Sequence, residues 1–192
     1  GFQVEEYKRP KFFVEYQPQS GTYRVNDSVT VKGFAKAYAG NVINGASLTY
    51  RVTRNARFLY PWRFEYKSIN RGRSQEISHG KLVTDASGNF SINFLAIPDM
   101  QLDKASDPVF DYEVSVDVTD LNGETRSATT IIPVSYKALQ VKIELPAPVM
   151  AIDSFRQLVV QSRNISGEFE SAKVRLSIQP LLSTGRLVRA RL

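Results

Sequence analysis

Apolar and polar residues alternate with a period of two along most of the chain, as expected of strands with one buried and one wet face. Lys11–Tyr16 is the first such run. Ser28–Ala37 places Val29, Val31 and Gly33 on one face, with Thr30 and Lys32 on the other. Ser47–Arg54 does the same with Leu48, Tyr50 and Val52 against Thr49, Arg51 and Thr53. Asn89–Leu95 follows Asp85-Ala86-Ser87-Gly88, a turn whose glycine can take positive φ. Tyr112–Thr119 sets Tyr112, Val114, Val116 and Val118 inward and Glu113, Ser115 and Asp117 outward. Asp120-Leu121-Asn122-Gly123 then reads as a hairpin turn, and Glu124–Val134 as the returning strand. The inward set, completed by Phe90, Ile92 and Phe94, is the expected core.

No dozen-residue stretch carries a helical period with caps; the best short candidate is Asp99–Ala105. Strands without intervening helices predict an all-β fold, a β-sandwich rather than a parallel α/β sheet. A short internal repeat suggests the domain limits. Tyr7-Lys8 and Tyr136-Lys137 each follow a strand-like stretch (Phe2–Glu6, Ile131–Ser135) and each precede a strand two residues on. The expected division is 1–7 as the last strand or linker of a preceding domain and 8–136 as one complete sandwich with an insertion at 55–80. Residues 137–192 are then the N-terminal part of a next domain, with strands at Leu139–Leu145, Phe155–Arg163, Ala172–Gln179 and Arg186–Leu192. On this reading the chain is a fragment of a longer, multi-domain protein.

Composition removes several function classes. The 192 residues contain no cysteine and a single histidine, His79, so thiolate metal sites, cysteine nucleophiles and multi-histidine centres are excluded. The net charge of +6 is concentrated at one end: Lys173, Arg175, Arg186, Arg189 and Arg191 have no acid among them. With no nucleic-acid motif beside it, this charge does not make a nucleic-acid-binding face. No apolar run approaches the roughly 20 residues of a membrane-spanning helix, and the first ten residues are not a signal peptide.

Candidate chemistry is sparse. Phe58, Tyr60, Trp62, Phe64 and Tyr66 recur at two-residue spacing. They are an aromatic platform for a ligand, a domain contact, or core cover; Pro61 favours an edge or an extended arm over a central strand. Asp99, Asp103, Asp107 and Asp111 recur every four residues but lack the spacing of a calcium loop, and read as a solvated acidic loop. Its sign is opposite to that of Arg57, Arg63, Lys67, Arg71, Arg73 and Lys81, so contact between the two segments is expected. His79 beside Gly80 reads as a surface turn residue, with no nucleophile elbow nearby. Glu5 and Glu6 would point to opposite faces of a strand and cannot form a carboxylate pair.

FQVEEYKRPKF, NDSVTVKGFAKAYAGNVINGASLTYRVTR, EISHGKLVTDASGNFSINFLAIPD and NISGEFESAKVRLSI resemble macroglobulin domains of bacterial α2-macroglobulin-like proteins, particularly the large forms of Bacteroidetes. The resemblance implies a string of seven-stranded, fibronectin-III-like sandwiches, here one complete and one partial. It implies a non-catalytic scaffold within a large periplasmic or surface-anchored lipoprotein that traps proteases. The partners implied are neighbouring macroglobulin domains and, through the whole protein, proteases. No cofactor or metal is expected. The family's thioester needs a cysteine, which this chain lacks, and no bait region can be placed in it. The alternative is an adhesin-type sandwich binding carbohydrate or protein through the aromatic run.

Overall fold

The computed structural model describes residues 10–19, 21–58, 73–137, 139–144 and 157–179. The strands are β1 (Phe12–Tyr16), β2 (Tyr23–Arg24), β3 (Ser28–Ala37), β4 (Ser47–Phe58), β5 (Gln75–Val83), β6 (Asn89–Leu95), β7 (Pro108–Thr119), β8 (Thr125–Ser135), β9 (Leu139–Glu144) and β10 (Val159–Asn164). Among the described residues, β1-β3-β6 form one sheet, β2-β8-β7-β4-β5 a second, and β10-β9 a separate pair. Neighbours are antiparallel except β2, which runs parallel to the end of β8. The first two sheets face each other as a β-sandwich, and the fold is all-β.

The period-two pattern is what closes this sandwich. Val29, Val31, Leu48, Val52, Phe90, Ile92, Phe94, Tyr112, Val114, Val116 and Val118 are all buried in one cluster. Tyr50 shares their face but is only half-buried. Its partner across the ladder is Gly80 at edge strand β5, and the ring lies where a Gly80 side chain would stand. With no described strand beyond β5, the ring stays partly in water.

The turns are set by one repeated device. Asp85 Oδ1 accepts from Ser87 N and Asn89 N, both at 2.8 Å, and Gly88 takes φ +76°. Asp120 Oδ1 accepts from Asn122 N at 2.9 Å and Glu124 N at 2.8 Å, with Gly123 at φ +83°. Asn164 Oδ1 accepts from Glu168 N at 2.9 Å, with Gly167 at φ +87°. A short side-chain acceptor thus closes the turn, and only glycine relaxes into its left-handed corner.

Four expectations are corrected. Asp99–Ala105 is not a helix; a single 3₁₀ turn occupies Lys104–Ser106, capped by the Asp103 side chain. The ends of the expected 55–80 insertion belong to the sheet. Residues 55–58 continue β4 against β7, and 75–80 pair with β4, because the ladder offers them hydrogen bonds that an arm would leave to water. His79 consequently lies within β5, not in a turn. Ala172–Gln179 alternates like a strand yet is not one. Phe169 makes only an isolated bridge to Arg163, Glu170 bonds to Ser162, and no described strand pairs with 172–179. Alternation supplies two faces, whereas a strand also needs a neighbour. Of the remaining expectations, 1–7 and Arg186–Leu192 lie outside the described residues.

Candidate functional site

The most organised polar cluster is buried at one end of the sandwich. Arg54 continues the inward series of β4 after Leu48 and Val52, and is 4% exposed. One guanidinium nitrogen donates to the Ile97 carbonyl at 3.0 Å. The other donates to Gln75 Oε1 at 2.9 Å and stands 3.4 Å from Asp99 Oδ2. Asp99 is itself only 8% exposed, and its Oδ1 accepts from Gln101 N at 3.0 Å. The Tyr112 hydroxyl also donates to the Ile97 carbonyl, at 2.7 Å. Every charge in the cluster therefore has a partner, the condition under which buried ions are tolerated.

This cluster adjoins the exit of the sandwich. The Arg54 guanidinium lies 6.0 Å from the centroid of Phe110, and Phe110 meets Tyr136 edge to face at 5.9 Å. Lys104 approaches the Tyr136 ring at 5.2 Å. Burial pushes the Tyr136 phenol up and the Asp99 charge adds to this, against the opposing charge of Arg54. Burial raises Tyr112 further still. Both phenols stay neutral at physiological pH and serve as packing and donor groups.

Beyond Tyr136 the chain enters β9 across a cleft of about 180 Å³ lined by Val109, Ser135, Lys137, Val141 and Ile165, among others. Val109 points outward from β7, away from the core cluster, yet is 1% exposed; Ile165, in the turn after β10, is 8% exposed. The start of β9 and the turn after β10 thus border the same cleft as Val109. Lys137 Nζ pairs with Asp107 Oδ1 at 2.6 Å, and the Ser135 hydroxyl donates to the Lys137 carbonyl. The ion pair is solvent-exposed and contributes about 0–1 kcal/mol.

Among the described residues, the sequence candidates do not gather into a centre. Phe58 ends β4 opposite Pro108 and packs, half-buried, against the core. Tyr60, Trp62, Phe64 and Tyr66 lie outside the described residues. The four spaced acids disperse: Asp99 pairs with Arg54, Asp103 caps the 3₁₀ turn through Ala105 N at 2.9 Å, Asp107 holds Lys137, and Asp111 holds Arg57 at 2.6 Å. The Arg57–Asp111 pair joins the basic and acidic segments. His79 is exposed and pairs with Glu76 at 2.8 Å. Among the described residues, no three or more His, Cys, Asp or Glu side chains converge as metal ligands. No described helix is long and apolar enough to cross a membrane.

Sequence reasoning did not single out Arg54; the signal available was a cation at an inward position of an alternating strand. Val109 and Ile165 carried no such signal, since Val109 has the outward parity of its strand.

No family model matches the chain, and no curated protein matches it closely. Solved structures do. The native conformation of E. coli α2-macroglobulin superposes with TM-score 0.55 at 11% identity, over 86% of this chain and 11% of that one. The E. coli protein activated by porcine elastase gives TM-score 0.56 at 11% identity, over 86% of this chain and 15% of that one. Salmonella α2-macroglobulin reacted with methylamine gives 0.56 at 11%, over 86% and 12%. At such identities the likeness shows the fold. This chain spans between about a tenth and a seventh of the length of those proteins.

Proposed function

We propose that the chain is a non-catalytic scaffold segment of an α2-macroglobulin-like protein, of the large Bacteroidetes type, whose whole-protein role is to trap proteases at the bacterial cell envelope. The observation that carries this reading is the extent of the superposition. A match over 86% of the chain is longer than the sandwich alone, so it runs past the exit at Tyr136 into the following segment. A sandwich is widely shared among unrelated functions, whereas a likeness that extends past the sandwich is more restrictive and supports this reading. The domain division favoured is 8–136 followed by the start of a second macroglobulin-like unit from 137. The partners favoured are adjoining domains of the same parent chain.

The mechanism is geometric. The sandwich acts as a rigid body, and the next segment meets it at the cleft that Val109 and Ile165 share. In the whole protein such bodies would hold recognition and bait elements in position, and cleavage of bait would let them reorient. The packing of Phe58 against the core gives the first aromatic of the 58–66 run a structural task, which disfavours the adhesin-type alternative at that position.

The test uses the full-length parent protein incubated with trypsin or elastase. Trapping predicts that the protease keeps its activity on a small peptide substrate and loses it on a large protein substrate. Deleting residues 8–136 should abolish this difference. Undiminished cleavage of the large substrate by protease held with intact protein would refute the proposal, as would a correct subcellular fractionation placing the parent outside the envelope.

A further inference from the structure

Arg54 does more than an inward position requires. Its neighbours on that face of β4, Val52 and Ala56, are apolar, and a methionine of similar length would fill the space without any ion to desolvate. Replacing a buried ion pair by packed apolar groups is often neutral or stabilising, so burial alone does not account for Arg54 and Asp99. What an apolar chain cannot do is hold several separate segments at once. Arg54 binds the first residue of β5 through Gln75, and the β6–β7 connection through Ile97 and Asp99. Its guanidinium faces Phe110, which in turn meets Tyr136, the residue just after β8. Lys137 and β9 follow directly.

We propose that Arg54 is a coupling strut, transmitting displacement at the start of β5 to the exit of the sandwich at Tyr136, and so to the seating of the β9–β10 hairpin. Arg54 is a positioning residue in this scheme. Its planar fork reaches Ile97, Gln75 and Asp99 simultaneously, whereas a lysine, as a single point of charge, cannot span all three. The coupling is reciprocal: a change at the exit must alter the start of β5 to the same degree. It concerns the mechanics of this chain and stands independently of what the parent protein traps.

The experiment is a pair of double-mutant cycles on the full 192-residue chain. Gln75→Ala and Tyr136→Leu are combined in the wild-type background and again with Arg54→Lys, with urea unfolding of the sandwich as the readout. Gln75 and Tyr136 share Arg54 and Phe110 as intermediaries. The double variant is therefore expected to depart from additivity by about threefold or more in the unfolding constant, and the departure should vanish with Arg54→Lys. A second readout is hydrogen exchange at the β9 and β10 amides: Gln75→Ala should speed it severalfold. Val116→Ala, which weakens the core away from the strut, is the control and should leave β9–β10 exchange unchanged relative to the sandwich. Additive behaviour in the wild-type background, equal non-additivity in both backgrounds, or equal acceleration by Val116→Ala would each overturn the proposal.

Discussion

Gly33→Ala should destabilise the sandwich by about 1–2 kcal/mol, although it places a better strand former in a strand. Tyr16, Gly33 and Phe90 form one row across β1, β3 and β6. The two rings meet edge to face, with centroids 5.9 Å apart and planes at 80°, and Phe90 occupies the space a side chain at Gly33 would need. A Cβ there would stand 2.3 Å from Phe90 Cζ and 2.8 Å from the Glu15 carbonyl oxygen. Tyr16 cannot readily retreat, because its hydroxyl donates to the Val114 carbonyl of the facing sheet at 3.0 Å. Two terms oppose each other. Restricting the unfolded chain favours alanine by about 0.4–1 kcal/mol. Overpacking a tight core costs about 1–3 kcal/mol, and the nearest atom belongs to a ring backed by Tyr16. The second term wins. Urea unfolding should show a lower midpoint with an unchanged slope. In a Phe90→Leu background the obstructing ring is gone, so the same substitution should cost about 1 kcal/mol less. A midpoint at or above wild type refutes the reasoning. So does an equal loss in both backgrounds, which would place the clash at the Glu15 backbone instead of the ring.

Three further outcomes follow from the same geometry. Thr84 is buried, with its hydroxyl accepting from Ala46 N at 2.9 Å and donating to the Ile43 carbonyl at 2.7 Å; Thr84→Val orphans both groups and should cost about 1–3 kcal/mol by thermal or urea unfolding. The Asp85 carboxyl is held below its ordinary value of 3.8 chiefly by the Asn89 N–H, while at Asp120 slight burial is outweighed by the Asn122 side chain and the N–H groups of Glu124 and Asn122. Their contribution is present above the unfolded value and lost as pH falls through the depressed folded one, so stability should decline below about pH 4, and Asp85→Asn with Asp120→Asn should flatten that decline in acid titration followed by circular dichroism. Val109→Asp places a charge under the β9–β10 hairpin; it should speed exchange of the hairpin amides and enlarge the radius of gyration by small-angle scattering, and an unchanged scattering profile would show that Val109 does not seat the hairpin.

The sequence by itself determined the sandwich, because a period of two fixes which face of each strand meets the other sheet. It set the ends of Ser28–Ala37 and Asn89–Leu95, and the Asp-x-x-Gly turns that separate the strands. These are local rules, settled by a residue and its near neighbours. The tertiary structure alone decided the rest. Val109 has the outward parity of β7 yet is buried, at a cleft it shares with Ile165 from far along the chain. Ala172–Gln179 has the alternation of a strand without a described partner, and a ladder is a property of two segments, not one. The period of β4 carries Arg54 to the inward face, but its partners arrive from β5 and from the β6–β7 connection, at separations no periodicity reports. The acids at 99, 103, 107 and 111 looked like one group by spacing, yet an irregular connection carries each to a different basic or backbone partner. Period and turn chemistry specify faces and corners; which faces are covered, and by what, depends on where distant segments meet.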